Sequence, residues 1–76
     1  MYKITEDFSR IVKKYRTKYY KDVLGLNYAF VSSILNGNKN CSEIIAKGIL
    51  SICFEISLSD EKIPKLLEKY FIKTKE

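Results

Sequence analysis

Histidine is absent from this 76-residue chain, and its only two cysteines are Cys41 and Cys53. A closed zinc site needs four Cys or His ligands, so one copy of the chain cannot form one, although two copies could pool their thiolates. In a reducing compartment, a lone pair of cysteines usually fills core space instead of forming a disulfide, and Cys53, next to Ile52 and Phe54, fits that role. We therefore expect neither a metal nor a cofactor.

The lack of histidine also argues against an enzyme. General acid–base catalysis near neutral pH usually recruits histidine, or a carboxylate whose pKa is raised in a pocket. No pair of carboxylates has a spacing that indicates such a site, and a cysteine nucleophile would lack its base. A chain of this length is expected to form one domain, over residues 1–76, with little room for a deep cleft.

Long apolar runs are missing as well, as is an N-terminal apolar segment followed by a small-residue cleavage site. The sequence therefore predicts neither a membrane span nor a secretion signal, and we expect a cytoplasmic protein with no membrane partner. Hydrophobic residues still make up 46% of the chain and charged residues 30%. That is enough apolar material for a compact core.

Acidic residues are missing between Asp7 and Asp22, where a basic run with interleaved tyrosines lies. The formal net charge of the chain is +5, and the run contains Arg10, Lys13, Lys14, Arg16, Lys18 and Lys21. Such a run can supply phosphate contacts, because each neutralised phosphate releases counterions, or it can be a solvated helix face. A second basic group near the C-terminus alternates with glutamates and resembles ordinary helix surface.

Hydrophobic periodicity predicts short helices joined by turns. A first helix begins after Thr5, a good N-cap, and its expected core face carries Phe8, Ile11, Val12 and Tyr15. A second helix spans Thr17 to Leu24 and ends at Gly25, which suits a left-handed turn. Its expected inward residues are Tyr20, Val23 and Leu24.

A third helix lies between the turn glycines Gly25 and Gly37, with Asn27 as its N-cap. Its expected apolar side carries Leu26, Phe30, Val31, Ile34 and Leu35. Its outward side carries Tyr28, Ala29, Ser32 and Ser33. The pattern predicts a helix with one face presented to a partner.

A fourth helix begins after Ser42 and is expected to bury Ile44, Ile45, Ile49, Leu50, Ile52 and Cys53. Its end runs into alternating apolar and polar residues, which favours an extended joint from Phe54 to Leu58, with a short pairing strand as the alternative. A last helix, with Pro64 in its first turn, carries Ile63, Leu66, Leu67, Tyr70 and Phe71. The joint and this last helix are the expected dimer surface, because they are apolar beyond the needs of a four-helix core, and Tyr70 and Phe71 are expected either in the core or at the dimer interface.

The segment from Thr17 to Gly37 resembles the helix-turn-helix of the lambda-repressor-like, Cro/repressor-type family. The family pattern has a glycine, an aliphatic residue and a small cap, then Ile or Val, Ser, Ile and a final glycine. The matching residues are Gly25, Leu26, Asn27, Val31, Ser32, Ile34, Asn36 and Gly37. The resemblance implies an all-α, five-helix DNA-binding domain with a central helix-turn-helix.

By this resemblance, Tyr28 to Leu35 is a recognition helix that enters the major groove of double-stranded DNA as part of a symmetric homodimer. Base edges would meet Tyr28, Ala29 and Ser33, and the DNA backbone would lie near Asn27 and Ser32. Phosphates would be held by the start of the second helix and by the loop after the third, at Thr17, Lys18, Asn36, Asn38, Lys39 and Asn40.

The chain departs from the family pattern at two places. Lys21 stands where the family usually carries alanine, so its stem would have to reach outward to solvent. Tyr28, Ala29 and Ser33 include no Arg, Gln or Asn, so they cannot make bidentate contacts to guanine or adenine. Sequence specificity would then be modest, or would depend partly on DNA shape.

Two functions follow from the resemblance. The first is a small DNA-binding transcriptional regulator, such as a repressor, of phage or mobile-element type, which binds operator DNA as a dimer. The alternative is a phage-encoded, anti-CRISPR-like inhibitor of a host defence nuclease, which uses the same fold to bind a protein or a protein–nucleic acid complex. Tyr28 and Phe30 would then form a protein-docking patch.

Overall fold

Five α-helices dominate residues 1–75, the part of the chain that the computed structural model describes. The elements in chain order are β1 (Tyr2–Ile4), α1 (Glu6–Ile11), a 3₁₀ turn (Val12–Lys14), α2 (Thr17–Leu24), α3 (Tyr28–Leu35), α4 (Glu43–Phe54), α5 (Lys62–Tyr70) and β2 (Phe71–Lys73). No helix in this part of the chain combines the length and the apolar character that crossing a bilayer would require. The mostly helical prediction is confirmed.

The two ends of the described chain also pair in a small antiparallel sheet, which was not predicted from the sequence. Ile4 of β1 lies opposite Phe71 of β2, and Tyr2 also exchanges two backbone hydrogen bonds with Cys41 at 2.7 and 2.8 Å. Three-residue strands are too short to show a periodicity, and their partners are remote in sequence. Phe71 was expected in the last helix, but α5 ends at Tyr70 because the chain turns there into β2.

Side-chain caps begin three of the helices, as the sequence predicts. The side-chain oxygens of Thr5, Asn27 and Ser42 accept hydrogen bonds from backbone N–H groups in the first turns of α1, α3 and α4. Each bond satisfies a donor that the helix itself leaves open. The alternative of a short strand between Phe54 and Leu58 is wrong, because α4 continues to Phe54 and α5 is the next element after it.

The core is built around α4, which contacts α2 and α5, and it includes side chains of α1, α3 and the sheet. Phe8 is its aromatic centre: its ring stacks on Tyr70 at 4.8 Å and meets Phe71 edge-on at 5.6 Å between centroids. Phe71 is 4% exposed, so of its two expected places, the core and the dimer interface, it occupies the core. Cys41 and Cys53 are buried free thiols, so both fill core space, as expected from the sequence.

Three apolar side chains that we expected in the core are exposed instead: Ile11, Val23 and Ile44, at 37%, 56% and 81%. The buried stripe of α4 runs through Ala46, Ile49, Leu50 and Cys53. The spacing of residues along a helix places Ile44 outside that stripe, on the exposed side of α4. In α2, Tyr20 and Leu24 are one turn apart and turn inward, which leaves Val23 on the outer flank.

Candidate nucleic-acid interface

The turn between α2 and α3 sets the relative position of these two helices. Gly25 has φ +68°, the left-handed conformation that the sequence predicts for it. The backbone N–H of Leu26 donates to the carbonyl of Lys21 at 3.1 Å, and Asn27 then caps α3. Lys21 is half-buried, and its Nζ lies 3.0 Å from Asp22 Oδ1.

The outward face of α3 is accessible mainly in its first turn. Tyr28 is 53% exposed and Ala29 is also exposed, whereas Ser32 and Ser33 are half-buried. Ser32 Oγ accepts a hydrogen bond from Asn36 Nδ2 at 3.4 Å. Side chains in the first turn of α3 are therefore the best placed to meet a partner.

The loop after α3 forms a second group of predicted site residues. Asn36, Asn38 and Lys39 are all exposed, and Lys39 Nζ lies 5.2 Å from the centre of the Phe30 ring. Asn40 instead donates to Thr74 Oγ1 at 3.5 Å, so its side chain is engaged with the segment after β2. Since α3 has eight residues, this group lies about 12 Å along the helix from Tyr28.

An open cleft joins the start of α2 to the start of α3. We call it the basic cleft, and it has a volume of about 510 Å³ and is lined by Lys13, Tyr15, Arg16, Thr17, Lys18 and Tyr28. The structure thus brings together three of the residues that the resemblance assigned to DNA: Thr17, Lys18 and Tyr28.

Three further residues of the basic cleft were not predicted as site residues: Lys13, Tyr15 and Arg16. The sequence did contain a signal for phosphate binding at these positions, because all three belong to the basic run with interleaved tyrosines. Which members of that run line the basic cleft depends on the 3₁₀ turn and on the extended backbone of Tyr15 and Arg16. Neither feature has a sequence pattern.

Ion pairing divides the basic run into two classes. Four of its cations lie within 4.0 Å of a carboxylate: Arg10 with Asp7, Lys14 with Glu55, and both Lys18 and Lys21 with Asp22. Lys13 and Arg16 have no such partner among residues 1–75. These two exposed cations at the basic cleft are therefore the ones available to an anionic ligand.

The start of α2 adds a partial positive charge to the basic cleft. Arg16 occupies the N-cap position of α2, and no side chain in the described part of the chain caps its first turn. The helices α1, α3 and α4 all carry such a cap. The leading N–H groups of α2 therefore remain open to an acceptor, and the helix dipole makes this end favourable for an anion.

Tyr15 forms one wall of the basic cleft and is held by Glu55. The Tyr15 hydroxyl donates to Glu55 Oε2 at 2.8 Å, and this hydrogen bond raises the pKa of Tyr15. The same bond, followed by one from Lys14, lowers the pKa of Glu55. Both directions keep a neutral phenol donating to a charged carboxylate at neutral pH.

The groups of the basic cleft are suited to binding, since they offer cations, helix N–H groups and tyrosine rings. Residues 1–75 contain no group of three Cys, Asp or Glu side chains placed to hold a metal ion. No protein-family model, curated protein or solved structure matches the chain.

Proposed function

We propose that this protein is a small DNA-binding transcriptional regulator of phage or mobile-element type, with a lambda-repressor-like helix-turn-helix made by α2 and α3. The observation that carries the proposal is the basic cleft. It combines Lys13 and Arg16, which have no ion-pair partner among residues 1–75, and the uncapped start of α2 with the exposed first turn of α3. All three features favour a polyanion beside a helix that is free to enter a groove.

The positions of the two polar groups support a duplex as the ligand. Phosphates of one strand would meet Lys13, Arg16 and the N–H groups of α2, with the Arg16 guanidinium making a bidentate contact. The exposed loop side chains of Asn36, Asn38 and Lys39 would meet the DNA backbone at the other end of α3. A spacing of about 12 Å along α3 matches the width of the major groove.

Base readout in this arrangement falls to Tyr28 and Ala29, with Ser33 less accessible. Ala29 would contact a thymine methyl group, and Tyr28 would make a single hydrogen bond. Discrimination between sequences would therefore be modest, with DNA shape supplying part of it. A homodimer on two half-sites would multiply this modest readout.

A fluorescence titration of a labelled duplex across a series of salt concentrations tests the proposal. We expect tight binding at low salt and a linear fall of log K with log salt concentration, since several phosphates are neutralised. Weak binding at low salt, or binding that salt does not weaken, would contradict it. Selection of bound duplexes from a random pool would then identify the operator, and two inverted half-sites are expected.

A second candidate function is the anti-CRISPR-like inhibitor, which binds a protein or a protein–nucleic acid complex of a host defence nuclease. The exposed side chains of Tyr19, Val23 and Tyr28, at 49%, 56% and 53%, favour it, because aromatic and apolar groups are enriched in the centres of protein interfaces. A pull-down from nuclease-treated host lysate tests this candidate. Retention of a stoichiometric nuclease subunit is expected, and retention of no protein would count against it.

A further inference from the structure

Glu55 occupies a backbone conformation that favours glycine. It follows α4 with φ +56° and ψ +45°, and it is the sole non-glycine residue with positive φ among residues 1–75. A Cβ is disfavoured in this left-handed region, whereas glycine adopts it freely. The backbone N–H groups of Glu55 and Ile56 both close the helix end on the carbonyl of Ser51. Those bonds form with any residue at position 55, so the helix end itself does not require a glutamate.

The Glu55 side chain makes its contacts away from α4. Its Oε2 accepts from the Tyr15 hydroxyl at 2.8 Å and from Lys14 Nζ at 3.4 Å, and Lys14 Nζ also donates to the carbonyl of Cys53 at 3.4 Å. These bonds tie the end of α4 to the extended segment that precedes α2. The Tyr15 ring also contacts the Tyr19 ring, at 4.9 Å between centroids.

A carboxylate near the basic cleft also carries an electrostatic cost for a phosphate ligand, because like charges repel. Backbone conformation and charge therefore both disfavour glutamate at position 55. The contacts with Tyr15 and Lys14 offset these costs. The contact with Tyr15 bears on the basic cleft, since Tyr15 lines it and Arg16 and Thr17 follow directly.

We infer that Glu55 is a positioning residue for the basic cleft. Its carboxylate fixes the Tyr15 ring as one wall of the basic cleft, and thereby fixes Arg16 and the uncapped start of α2. The importance of this geometry for phosphate binding rests on the proposed function. The fixing of the Tyr15 ring does not.

Two variants of equal net charge separate positioning from electrostatics. Glu55→Gln keeps an acceptor oxygen for Tyr15, whereas Glu55→Gly removes it and relieves the left-handed backbone. We expect the Gly variant to unfold at the same temperature as the Gln variant or higher. We also expect it to bind duplex DNA about threefold to tenfold more weakly than the Gln variant, the equivalent of one hydrogen bond.

Tyr15→Phe is the matched variant on the other side of the contact. It keeps the ring but loses the donor, so it should show a similar loss of affinity. The double variant with Glu55→Gly should lose little more affinity than either single variant, because both changes remove the same hydrogen bond. Equal affinities of the Gln and Gly variants, additive losses, or a Gly variant less stable than the Gln variant would each overturn the inference.

Ring NMR signals of labelled tyrosine separate this inference from the proposed function. The Tyr15 signals, assigned by their loss in Tyr15→Phe, should move in Glu55→Gly and stay near their wild-type positions in Glu55→Gln. If the wild-type protein fails to bind duplex DNA, the proposed function fails and these signals alone decide the role of Glu55. Signals unmoved in Glu55→Gly would overturn it.

Discussion

The hydroxyl of Tyr20 donates a hydrogen bond to the carbonyl oxygen of Val12 at 2.7 Å, inside the core. Both residues are 0–1% exposed, and the bond joins α2 to the 3₁₀ turn that precedes the basic cleft. Burial raises the pKa of Tyr20 far above its ordinary value, so the phenol remains a neutral donor at working pH. The orientation of α2 thus depends on a polar contact as well as on apolar packing.

Replacing Tyr20 with phenylalanine should lower the free energy of unfolding by about 1 kcal/mol, the net value of one hydrogen bond. A larger loss is not expected, because the Val12 carbonyl also accepts from the Tyr15 N–H at 3.3 Å. Urea denaturation measures the change. Tyr19→Phe is the control, since Tyr19 is 49% exposed and its change should stay within about 0.5 kcal/mol. Equal effects of the two variants would contradict the role of the buried bond.

Gly25→Ala should destabilise the protein by about 1 kcal/mol for a conformational reason. Gly25 has φ +68°, and an added Cβ would meet no atom within 4 Å, so steric overlap contributes nothing. Gly25→Asn is the matched variant and should lose less, because asparagine tolerates the left-handed region better than alanine. Thermal unfolding of both variants checks the order. An alanine variant as stable as the wild type would show that the turn relaxes.

The features that the sequence predicted correctly are local ones. Thr5, Asn27 and Ser42 cap helices, and Gly25 turns the chain, because each residue acts through atoms within a few positions of itself. Tyr28 and Ala29 are exposed as helical spacing predicts, whereas Ser32 and Ser33, predicted on the same side of α3, are half-buried.

The features that the sequence did not predict depend on contacts between remote segments. The pairing of Ile4 with Phe71 is one, and the contact of Glu55 with Tyr15 is another. Arg16 is a third: its residue type indicated a phosphate contact, but its place in the basic cleft follows from how the 3₁₀ turn leads into α2. Ile44 was misplaced because a run of adjacent apolar residues obscures the helical phase.

Alkaline pH should destabilise the fold through Cys41. Burial raises the pKa of its thiol from 9.0 to about 11. In the unfolded chain the thiol loses its proton near the ordinary value, while the folded state holds the proton until about pH 11. The contribution of Cys41 to the free energy of unfolding should therefore be fully present below about pH 9, and it should be lost as the pH rises toward 11.

Cys41→Ala is the matched variant for this prediction, and its stability should fall less steeply over the same pH range. Alkylation by iodoacetamide gives a second measurement. Cys41 should react slowly in the folded protein at neutral pH and quickly in denaturant, because the thiolate is the nucleophile and the side chain is buried. Rapid alkylation of the folded protein would contradict the buried assignment.

Dimerisation through the segment after α4 can be tested at Leu58. Phe71 is unsuitable for this purpose because it is a core residue, whereas Leu58 is 59% exposed. We expect Leu58→Lys to weaken self-association in sedimentation velocity without unfolding the chain. Ile72→Lys, at a side chain that is 56% exposed on β2, is the control and should leave association unchanged. Weaker association in Ile72→Lys, with association unchanged in Leu58→Lys, would indicate that the dimer surface lies at the sheet.

Arg16→Gln should weaken duplex binding and reduce the slope of log K against log salt concentration by about one, as expected for the loss of one phosphate contact. Its stability should change by less than about 0.5 kcal/mol, because Arg16 has no ion-pair partner among residues 1–75. Arg10→Gln is the matched control. It removes the same charge from a side chain that is 76% exposed on α1, outside the basic cleft, and paired with Asp7 at 3.9 Å.

The comparison separates a bound phosphate from a general effect of net charge, since both variants have the same charge. If net charge alone governed affinity, the two slopes would fall equally, and the basic cleft would lose its assignment as the phosphate site. A lower slope of log K against log salt concentration in Arg16→Gln alone would locate one phosphate beside the start of α2. The duplex would then have to pass in front of Tyr28, because the same cleft joins the starts of α2 and α3.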